Sequence, residues 1–344
     1  MLEGLNRVEW GRLRHAYGSA EDVPNLIHAL ASPSPEERRA AFEQLYTNLW
    51  HQGTIYEATP HAVPFLIELA ASNATPNRYA ILSYLGTLAE GSSFLAVHRH
   101  SNFVNFSQQQ LEVELSWVAQ TRKAVKGGEA LYLESLSDRE HLICGAAGYV
   151  LSRFPEEGER YWAPLRARYE AAESDELIRC GIAILTKEFS AKGTSDTQWL
   201  RGMFEREARP AVRVALAVSI ALSNEAQGRD DALQFLTAHL LTEKQVEEGY
   251  HAQPWDSGEA VWDIIRALCT SRRGRQMLVS RFNEMLFFQR APPGRLDYVR
   301  YVLSGEAKAE AIKGLGGPLR LLTIPDEWEE LETSPPPGQL SLDL

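Results

Sequence analysis

The chain has 344 residues, of which 44% are hydrophobic and 24% are charged, as is ordinary for a soluble folded protein. Its formal net charge of −11 argues against nonspecific binding to duplex nucleic acid, because such binding depends on basic residues that displace counterions. The sequence contains neither an apolar run of membrane-spanning length nor the features of a signal peptide, so we expect a cytoplasmic protein with no membrane partner.

The first elements in chain order are a short capping helix, predicted over residues 10–17, and two helices that resemble each other. These helices, over residues 23–30 and 61–69, place proline in the first turn, where its missing N–H breaks no hydrogen bond, and continue with an apolar stripe. Between them we expect residues 51–54 to form a connection in which Gly53 caps the preceding helix. The sequence has almost no signal for β-strands.

A second kind of segment recurs along the chain: a small polar break, then an amphipathic helix with an arginine near its start. The arginines at this position are Arg38, Arg78, Arg179 and Arg213, and a degenerate copy over residues 137–147 lacks it. The first two are 40 residues apart and the last two are 34 residues apart. Self-similarity at such a period predicts an all-α solenoid of about six to eight stacked helix pairs.

Two irregular insertions interrupt this pattern, near residues 92–128 and 224–262. The second insertion carries an aromatic loop ahead of a helix that we predict over residues 260–269. Insertions in repeat arrays tend to project from one face, which is often the face that binds. We therefore predict that Tyr250 and Trp255 contact a partner.

The pairs Val212-Arg213, with the alanines that follow it, and Ile178-Arg179 resemble the repeats of the HEAT superfamily, particularly its bacterial branch. Residues 49–59 also look like a stretch of bacterial HEAT-like proteins. The resemblance implies a HEAT/armadillo-like, right-handed α–α superhelix. Some HEAT-like proteins are immunity partners of secreted toxins, and others are DNA glycosylases of the alkylpurine type.

Basic residues concentrate in the last part of the predicted array. Residues 266–300 contain eight arginines, opposed only by Glu284 and Asp297. A solvated face is one interpretation, and a strip that binds phosphate or an acidic partner is the other. The arginines that we predict to contact a partner are Arg272, Arg273, Arg275 and Arg281.

We expect the superhelix to occupy residues 1–325 and an acidic, proline-rich, flexible tail to occupy residues 326–344. A stiff Ser-Pro-Pro-Pro-Gly spacer presents the final residues. These resemble the short peptide by which many bacterial replication and repair proteins dock on the sliding clamp, with leucines in an apolar pocket and glutamine in a polar subsite. The alternative is that the leucines pack back on the last repeat. The residues concerned are Gln339, Leu340, Leu342 and Leu344.

Two histidine pairs invite a metal-site interpretation, His51 with His61 and His98 with His100. Neither pair has further ligands at a recognisable spacing, so we favour structural roles for them.

The three cysteines lie far apart in apolar helical contexts, and we expect them to pack in the core. Phosphate-binding glycine loops and hydrolase motifs are absent from the sequence, so we predict no catalytic residue, metal or cofactor.

Together these features favour a non-enzymatic scaffold or adaptor that binds another protein and docks on the sliding clamp through its tail. The first alternative is an immunity protein that inhibits a secreted toxin, since an acidic inhibitor suits a basic nuclease. The second is a DNA-repair protein of the glycosylase type, although that class needs a basic groove and this chain is acidic. The sequence leaves the partner, the binding face and the oligomeric state open.

Overall fold

The computed structural model describes residues 2–98, 105–225, 228–240, 244–255 and 257–287. Within these residues the chain is almost entirely helical, with sixteen α-helices, three 3₁₀ turns and four strands of two residues each. The predicted all-α class is thereby confirmed. None of the helices in this part of the chain is both long enough and apolar enough to cross a membrane.

Helices lie at each described segment where the repeated pattern predicted one. In chain order they are α1 (Val23–Ala29), α2 (Pro35–Leu49), α3 (Thr59–Ala71), α4 (Arg78–Glu90), α5 (Phe94–Val97), α6 (Gln108–Lys126), α7 (Glu129–Ser135), α8 (His141–Ser152), α9 (Gly158–Ala171), α10 (Glu176–Lys192), α11 (Thr197–Arg206), α12 (Pro210–Leu222), α13 (Arg229–Ala238), α14 (Lys244–His251), α15 (Ala260–Cys269) and α16 (Arg272–Phe287). The strands form two antiparallel pairs, β1 (Arg14–His15) with β2 (Gly18–Ser19) and β3 (Trp50–His51) with β4 (Thr54–Ile55).

Local side-chain caps fix the starts of several helices. The Ser34 side chain accepts a hydrogen bond from the backbone N–H of Glu37 at the start of α2, and Asp196 caps α11 in the same way. Ser107 and Gln110 form a reciprocal capping box at the start of α6. These contacts satisfy backbone N–H groups that the first helical turn leaves without an intrahelical partner.

Two β-hairpins lie where the sequence predicted a helix-capping connection, over residues 51–54, and a short helix, over residues 10–17. Helix α2 ends at Leu49, and the chain turns back between β3 and β4 through Gln52 and Gly53, whose φ angles are 49° and 87°. A two-residue turn with positive φ angles matches the twist of the paired strands, and glycine adopts such an angle without strain. The predicted C-cap role of Gly53 is therefore wrong. Likewise, the helix predicted over residues 10–17 is a 3₁₀ turn (Trp10–Arg12) followed by β1.

Two of the recurring arginines donate hydrogen bonds to backbone carbonyls of the chain that precedes their own helices. On α2, the Nη1 of Arg38 donates to the carbonyl oxygens of Ser32 and Pro33, at 2.8 and 3.0 Å. On α10, the Nε of Arg179 donates to the carbonyl oxygen of Tyr169 at 3.2 Å. Each arginine thus pins the turn between two helices, which explains its position after a polar break.

The described chain divides into two compact units. Unit 1 contains residues 2–185 and 253–255, and helix α4 packs there against α3, α6 and α8. Unit 2 contains the described residues of 186–252 and 257–287, and helix α12 packs there against α11, α13, α14 and α15.

Helix α12 is the central helix of unit 2. Eleven of its thirteen residues are buried, as expected for a helix that is apolar on all sides. Its repeat arginine, Arg213, lies between the rings of Phe204 and Phe235, with the guanidinium carbon 4.9 and 4.7 Å from the two ring centroids. Such cation–π contacts stabilise a guanidinium that is withdrawn from water.

Candidate functional site

The two aromatic residues that we predicted as partner contacts are buried in the described structure. Tyr250 is on helix α14 rather than in a loop, and it is fully buried within unit 2. Trp255 is buried in unit 1, where its ring stacks on that of Tyr149. Both side chains thus pack within their own units instead of forming the exposed aromatic loop that the sequence suggested.

The predicted arginine strip lies partly on helix α16. Arg272 and Arg273 are exposed there, and Arg273 forms an ion pair of 3.2 Å with Asp230. Arg275 donates through Nη1 to the carbonyl oxygen of Cys269 at 2.9 Å. Unit 2 itself therefore engages two of these side chains, and binding of phosphate or of an acidic partner by the strip stays a prediction.

Several predicted features lie outside the described residues. These are the arginines beyond residue 287, His100, and the tail over residues 326–344 with its clamp-like peptide. Their roles stay predictions.

The histidines and cysteines singled out in the sequence differ in their burial and contacts. His98 lies 2.9 Å through Nδ1 from the carbonyl oxygen of Phe94, and His61 lies on the exposed side of α3. Cys144 and Cys180 are buried, as predicted for core packing, whereas Cys269 is only partly buried. Among the described residues, His, Cys, Asp and Glu side chains nowhere gather in threes in a way that could hold a metal ion.

The described chain exposes four large apolar side chains, and all four belong to unit 1. They are Tyr17, Phe94, Val113 and Leu115, with 67%, 38%, 44% and 45% of their surface exposed. Tyr17 lies in the turn of the first hairpin, Phe94 begins α5, and the other two lie in the first half of α6. We call the region formed by the two hairpins, α5 and the first half of α6 the hairpin face. Its members are Tyr17, His51, Tyr56, Phe94, Val113, Glu114 and Leu115.

A buried polar cluster fixes the first hairpin. The backbone N–H of Tyr17 donates to Nδ1 of His15 at 3.0 Å, so the ring proton of His15 lies on Nε2. That nitrogen therefore donates to Oδ1 of Asp22, 3.1 Å away. The other oxygen of Asp22 accepts from Nδ2 of Asn48 at 2.8 Å. These bonds tie the hairpin to the start of α1 and the end of α2.

The two hairpins meet through Tyr17 and His51. The two rings are in an edge-on arrangement with centroids 5.4 Å apart, and Oη of Tyr17 lies 3.3 Å from Nδ1 of His51. Within the second hairpin, the Thr54 hydroxyl donates to the carbonyl oxygen of His51 at 2.7 Å. Because that proton is already used, the hydroxyl of Tyr56 must donate to Thr54, 2.8 Å away.

Helix α6 joins this arrangement through Glu114. Its Oε2 accepts from the Ser93 hydroxyl at 2.8 Å and from the backbone N–H of Leu95 at 2.9 Å. Phe94 lies between those two partners, so one carboxylate holds both α5 and the exposed ring in place. Val113 and Leu115 flank the same glutamate on α6.

Backbone pairing connects the second hairpin to the chain that precedes α5. The N–H of Ile55 donates to the carbonyl oxygen of Ser92, and the N–H of Ser92 donates to that of Gly53, both at 2.8 Å. The hairpin face is therefore built on a continuous hydrogen-bonded frame rather than on isolated side chains.

The electrostatic environment keeps Tyr56 neutral. Partial burial raises the pKa of Tyr56, and the nearby charge of Glu114 raises it further, while the hydrogen bond to Thr54 acts in the opposite direction. The carboxylate of Glu114 on α6 is thus close enough to Tyr56 for its charge to act on the phenol.

Sequence reasoning missed the hairpin face. A signal was present in α6, because Val113 lies outside the helical face that Leu111, Leu115 and Val118 share. A second signal was the Gln52-Gly53 turn before the β-favouring run of residues 54–56. The contact between Glu114 and the chain before it depends on the fold and has no local sequence signal.

A comparison with models of known protein families finds no match to this chain, and a comparison with characterised proteins finds none either. The resemblance to HEAT repeats therefore rests on the sequence motifs alone. A function has to be argued from the surfaces of the molecule.

Proposed function

We propose that the chain is a non-enzymatic scaffold that binds another protein, with the hairpin face as one of its contact surfaces. The supporting observation is that the exposed tyrosine, phenylalanine and aliphatic side chains all belong to the two hairpins, α5 and α6, which hydrogen bonds and ring contacts connect to one another. Tyrosine and other aromatic residues are enriched at the centres of protein interfaces, and a contiguous apolar patch on a folded domain marks an interaction site.

Preorganisation also supports binding by this surface. Tyr17 and Phe94 are carried by backbone segments that His15 and Glu114 already fix by hydrogen bonds. A partner would therefore find these segments ordered, and association would lose little conformational entropy there.

The finer architecture that we propose is a HEAT/armadillo-like, right-handed superhelix. Support comes from the repeat arginines, which are the fourth residue of α2, α10 and α12 and the first residue of α4. Stacked helix pairs of this kind offer extended binding surfaces.

The experiment that tests the function is affinity purification from the source cell. Full-length chain would be compared with a double variant of the hairpin face, Phe94→Ser with Leu115→Ser, and with a matched control on α9, Glu159→Ser with Glu170→Ser. Loss of a stoichiometric partner from the face variant alone supports the proposal. Absence of any stoichiometric partner for all three proteins contradicts it.

A second candidate function is inhibition of a basic toxin, which the net charge of −11 favours. In the same purification, that role requires one basic partner whose toxic activity the chain abolishes.

Docking on the sliding clamp is a separate proposal for the tail. Truncation after Thr333 tests it by removing the clamp-like peptide.

A further inference from the structure

Arg213 differs from the other repeat arginines in how its guanidinium is used. Arg38 and Arg179 donate to backbone carbonyl oxygens, and Arg78 forms an ion pair of 3.5 Å with Asp138. Arg213 forms neither a hydrogen bond nor an ion pair with any residue that the structure describes, and its contacts are with aromatic rings. The N–H donors of this one repeat arginine are therefore unused within the described chain.

Two phenylalanine rings fix the position of this guanidinium. Phe204 on α11 and Phe235 on α13 are edge to face with centroids 5.1 Å apart, and the guanidinium carbon of Arg213 lies 4.9 and 4.7 Å from them. His239 stacks on Phe235 with ring centroids 4.0 Å apart, and its Nδ1 lies 2.8 Å from the carbonyl oxygen of that residue. The cation is thus held by ring contacts, which engage none of its N–H groups in a conventional hydrogen bond.

The burial of Arg213 favours an oxyanion as its missing partner. The side chain is half-buried, and its Nε is enclosed without a hydrogen-bond partner among the described residues. Apolar rings beside a cation lower the local dielectric, so an ion pair formed there is stronger than one in open water. The parallel N–H donors of a guanidinium match the two oxygens of a carboxylate.

The acidic residue nearest to Arg213 in the sequence is already engaged elsewhere. Glu207 is buried, and each of its carboxylate oxygens accepts from Arg209 at 2.7 Å. Residues 201–213 contain four arginines and two glutamates. The end of α11 and the start of α12 thus carry an excess of positive charge, which attracts an acidic partner.

We infer that unit 2 has a contact site at Arg213 for an acidic segment of a partner protein, one that places a glutamate or aspartate between apolar side chains. The carboxylate would bind the guanidinium of Arg213, and its apolar neighbours would cover Phe204 and Phe235. Arginine and aromatic side chains supply much of the binding energy at protein interfaces. This inference rests on the proposed scaffold function and adds a contact site to the hairpin face of unit 1.

Fluorescence anisotropy with two labelled synthetic peptides of about twelve residues tests the inference. One peptide alternates glutamate with leucine and phenylalanine, and the other carries glutamine at each glutamate position. The protein would be the full-length chain, its Arg213→Gln and Arg213→Lys variants, and a charge-matched control, Arg206→Gln, at an exposed position on α11. Lysine keeps a cation beside the two rings but lacks the paired donors, so Arg213→Lys should fold even if Arg213→Gln does not.

We expect the glutamate peptide to bind and the glutamine peptide not to bind. Arg213→Gln should weaken binding of the glutamate peptide about tenfold and Arg213→Lys about threefold, whereas Arg206→Gln should leave it unchanged. Equal binding of both peptides, or equal effects of Arg213→Gln and Arg206→Gln, would overturn the inference. Unchanged binding to both Arg213 variants would also overturn it, because the peptide would then bind at another basic surface.

A further pattern separates this inference from the proposed function. If neither peptide binds but the double variant of the hairpin face loses a cellular partner, the acidic-segment site is excluded and the scaffold function stands. If the glutamate peptide binds through Arg213 but the full-length chain captures no cellular partner, the site stands and the scaffold function fails.

Discussion

The indole ring of Trp255 lies flat against the phenol ring of Tyr149, with centroids 5.3 Å apart and ring planes 2° from parallel. A glycine in α8 makes this contact possible, since a Cβ at Gly145 would lie 3.1 Å from Cδ of Pro254 and 3.2 Å from Cζ3 of Trp255. On Tyr149 the guanidinium carbon of Arg153 lies 4.7 Å from the ring centroid. Residues 253–255 are therefore part of the packing of unit 1.

Replacement of Trp255 with alanine should destabilise the protein by about 3 kcal/mol, because it removes a buried aromatic ring and leaves a cavity over Tyr149. Trp255→Phe should cost clearly less, since a ring remains to stack. Urea unfolding followed by circular dichroism measures both. If neither variant lowered the free energy of unfolding, the ring of Trp255 would contribute nothing to packing in solution.

The helices could be predicted because their apolar periodicity is long and their caps are local. The helix predicted over residues 260–269 is α15 (Ala260–Cys269), with the same bounds. The hairpins were missed, because strands of two residues are too short to show an alternating pattern and leave only the turn as a signal. The sequence predicted only a helix cap for Gly53, and α2 ends at Leu49, too early for Gly53 to cap it.

The candidate site was harder to predict than the fold. Trp255 lies in a stretch whose sequence resembles an exposed loop. Its burial depends on Gly145 and Gly181, which lie in helices distant in sequence and leave room for its ring. Glu114 shows the same limit, because its partners Ser93 and Leu95 come from a different element. Exposure and hydrogen bonding between elements are properties of the assembled fold, which local periodicity does not encode.

The second hairpin can be tested at Gly53. Gly53→Ala should destabilise the protein by about 1 kcal/mol, because the φ angle of 87° disfavours residues with a Cβ, although the space around that Cβ is open. Gly53→Asn should cost less, since asparagine tolerates positive φ angles better. Thermal unfolding compares the two variants. An alanine variant as stable as the wild type would contradict the hairpin turn.

The ion pair between Lys187 and Asp263 in unit 2 is nearly buried. The Nζ of Lys187 lies 2.8 and 2.6 Å from the two carboxylate oxygens, and the side chains are 13% and 11% exposed. Lys187→Met alone or Asp263→Leu alone should cost about 3 kcal/mol, because each leaves a buried charge without its partner.

The double variant, Lys187→Met with Asp263→Leu, is the control for that prediction. It should be far more stable than the sum of the single changes implies, because no unpaired charge remains. A double-mutant cycle from urea unfolding gives the coupling energy directly. Strictly additive costs would show that the pair is solvated and uncoupled.

Buried tyrosines should limit stability at alkaline pH. Full burial raises the pKa of Tyr84 well above its ordinary value of 10.0, with a smaller contribution from Tyr46, and its hydroxyl donates to the carbonyl oxygen of Leu45 at 2.6 Å. The native state thus keeps a proton that the unfolded chain loses above about pH 10. The unfolded state then binds fewer protons, so the free energy of unfolding falls as the pH rises.

Tyr84→Phe should separate the two roles of this hydroxyl. Near pH 8 the variant should be less stable by about 1 kcal/mol, because the hydrogen bond to Leu45 is lost. Above about pH 10 its stability should fall less steeply than that of the wild type, since one buried phenol no longer opposes ionisation. Urea midpoints at several pH values measure both effects.

The control is Tyr17→Phe, because Tyr17 is 67% exposed in the folded protein. This change should leave the decrease in stability with rising pH as it is in the wild type. If Tyr84→Phe and Tyr17→Phe gave the same alkaline slope, burial of Tyr84 would not be the cause of the pH dependence.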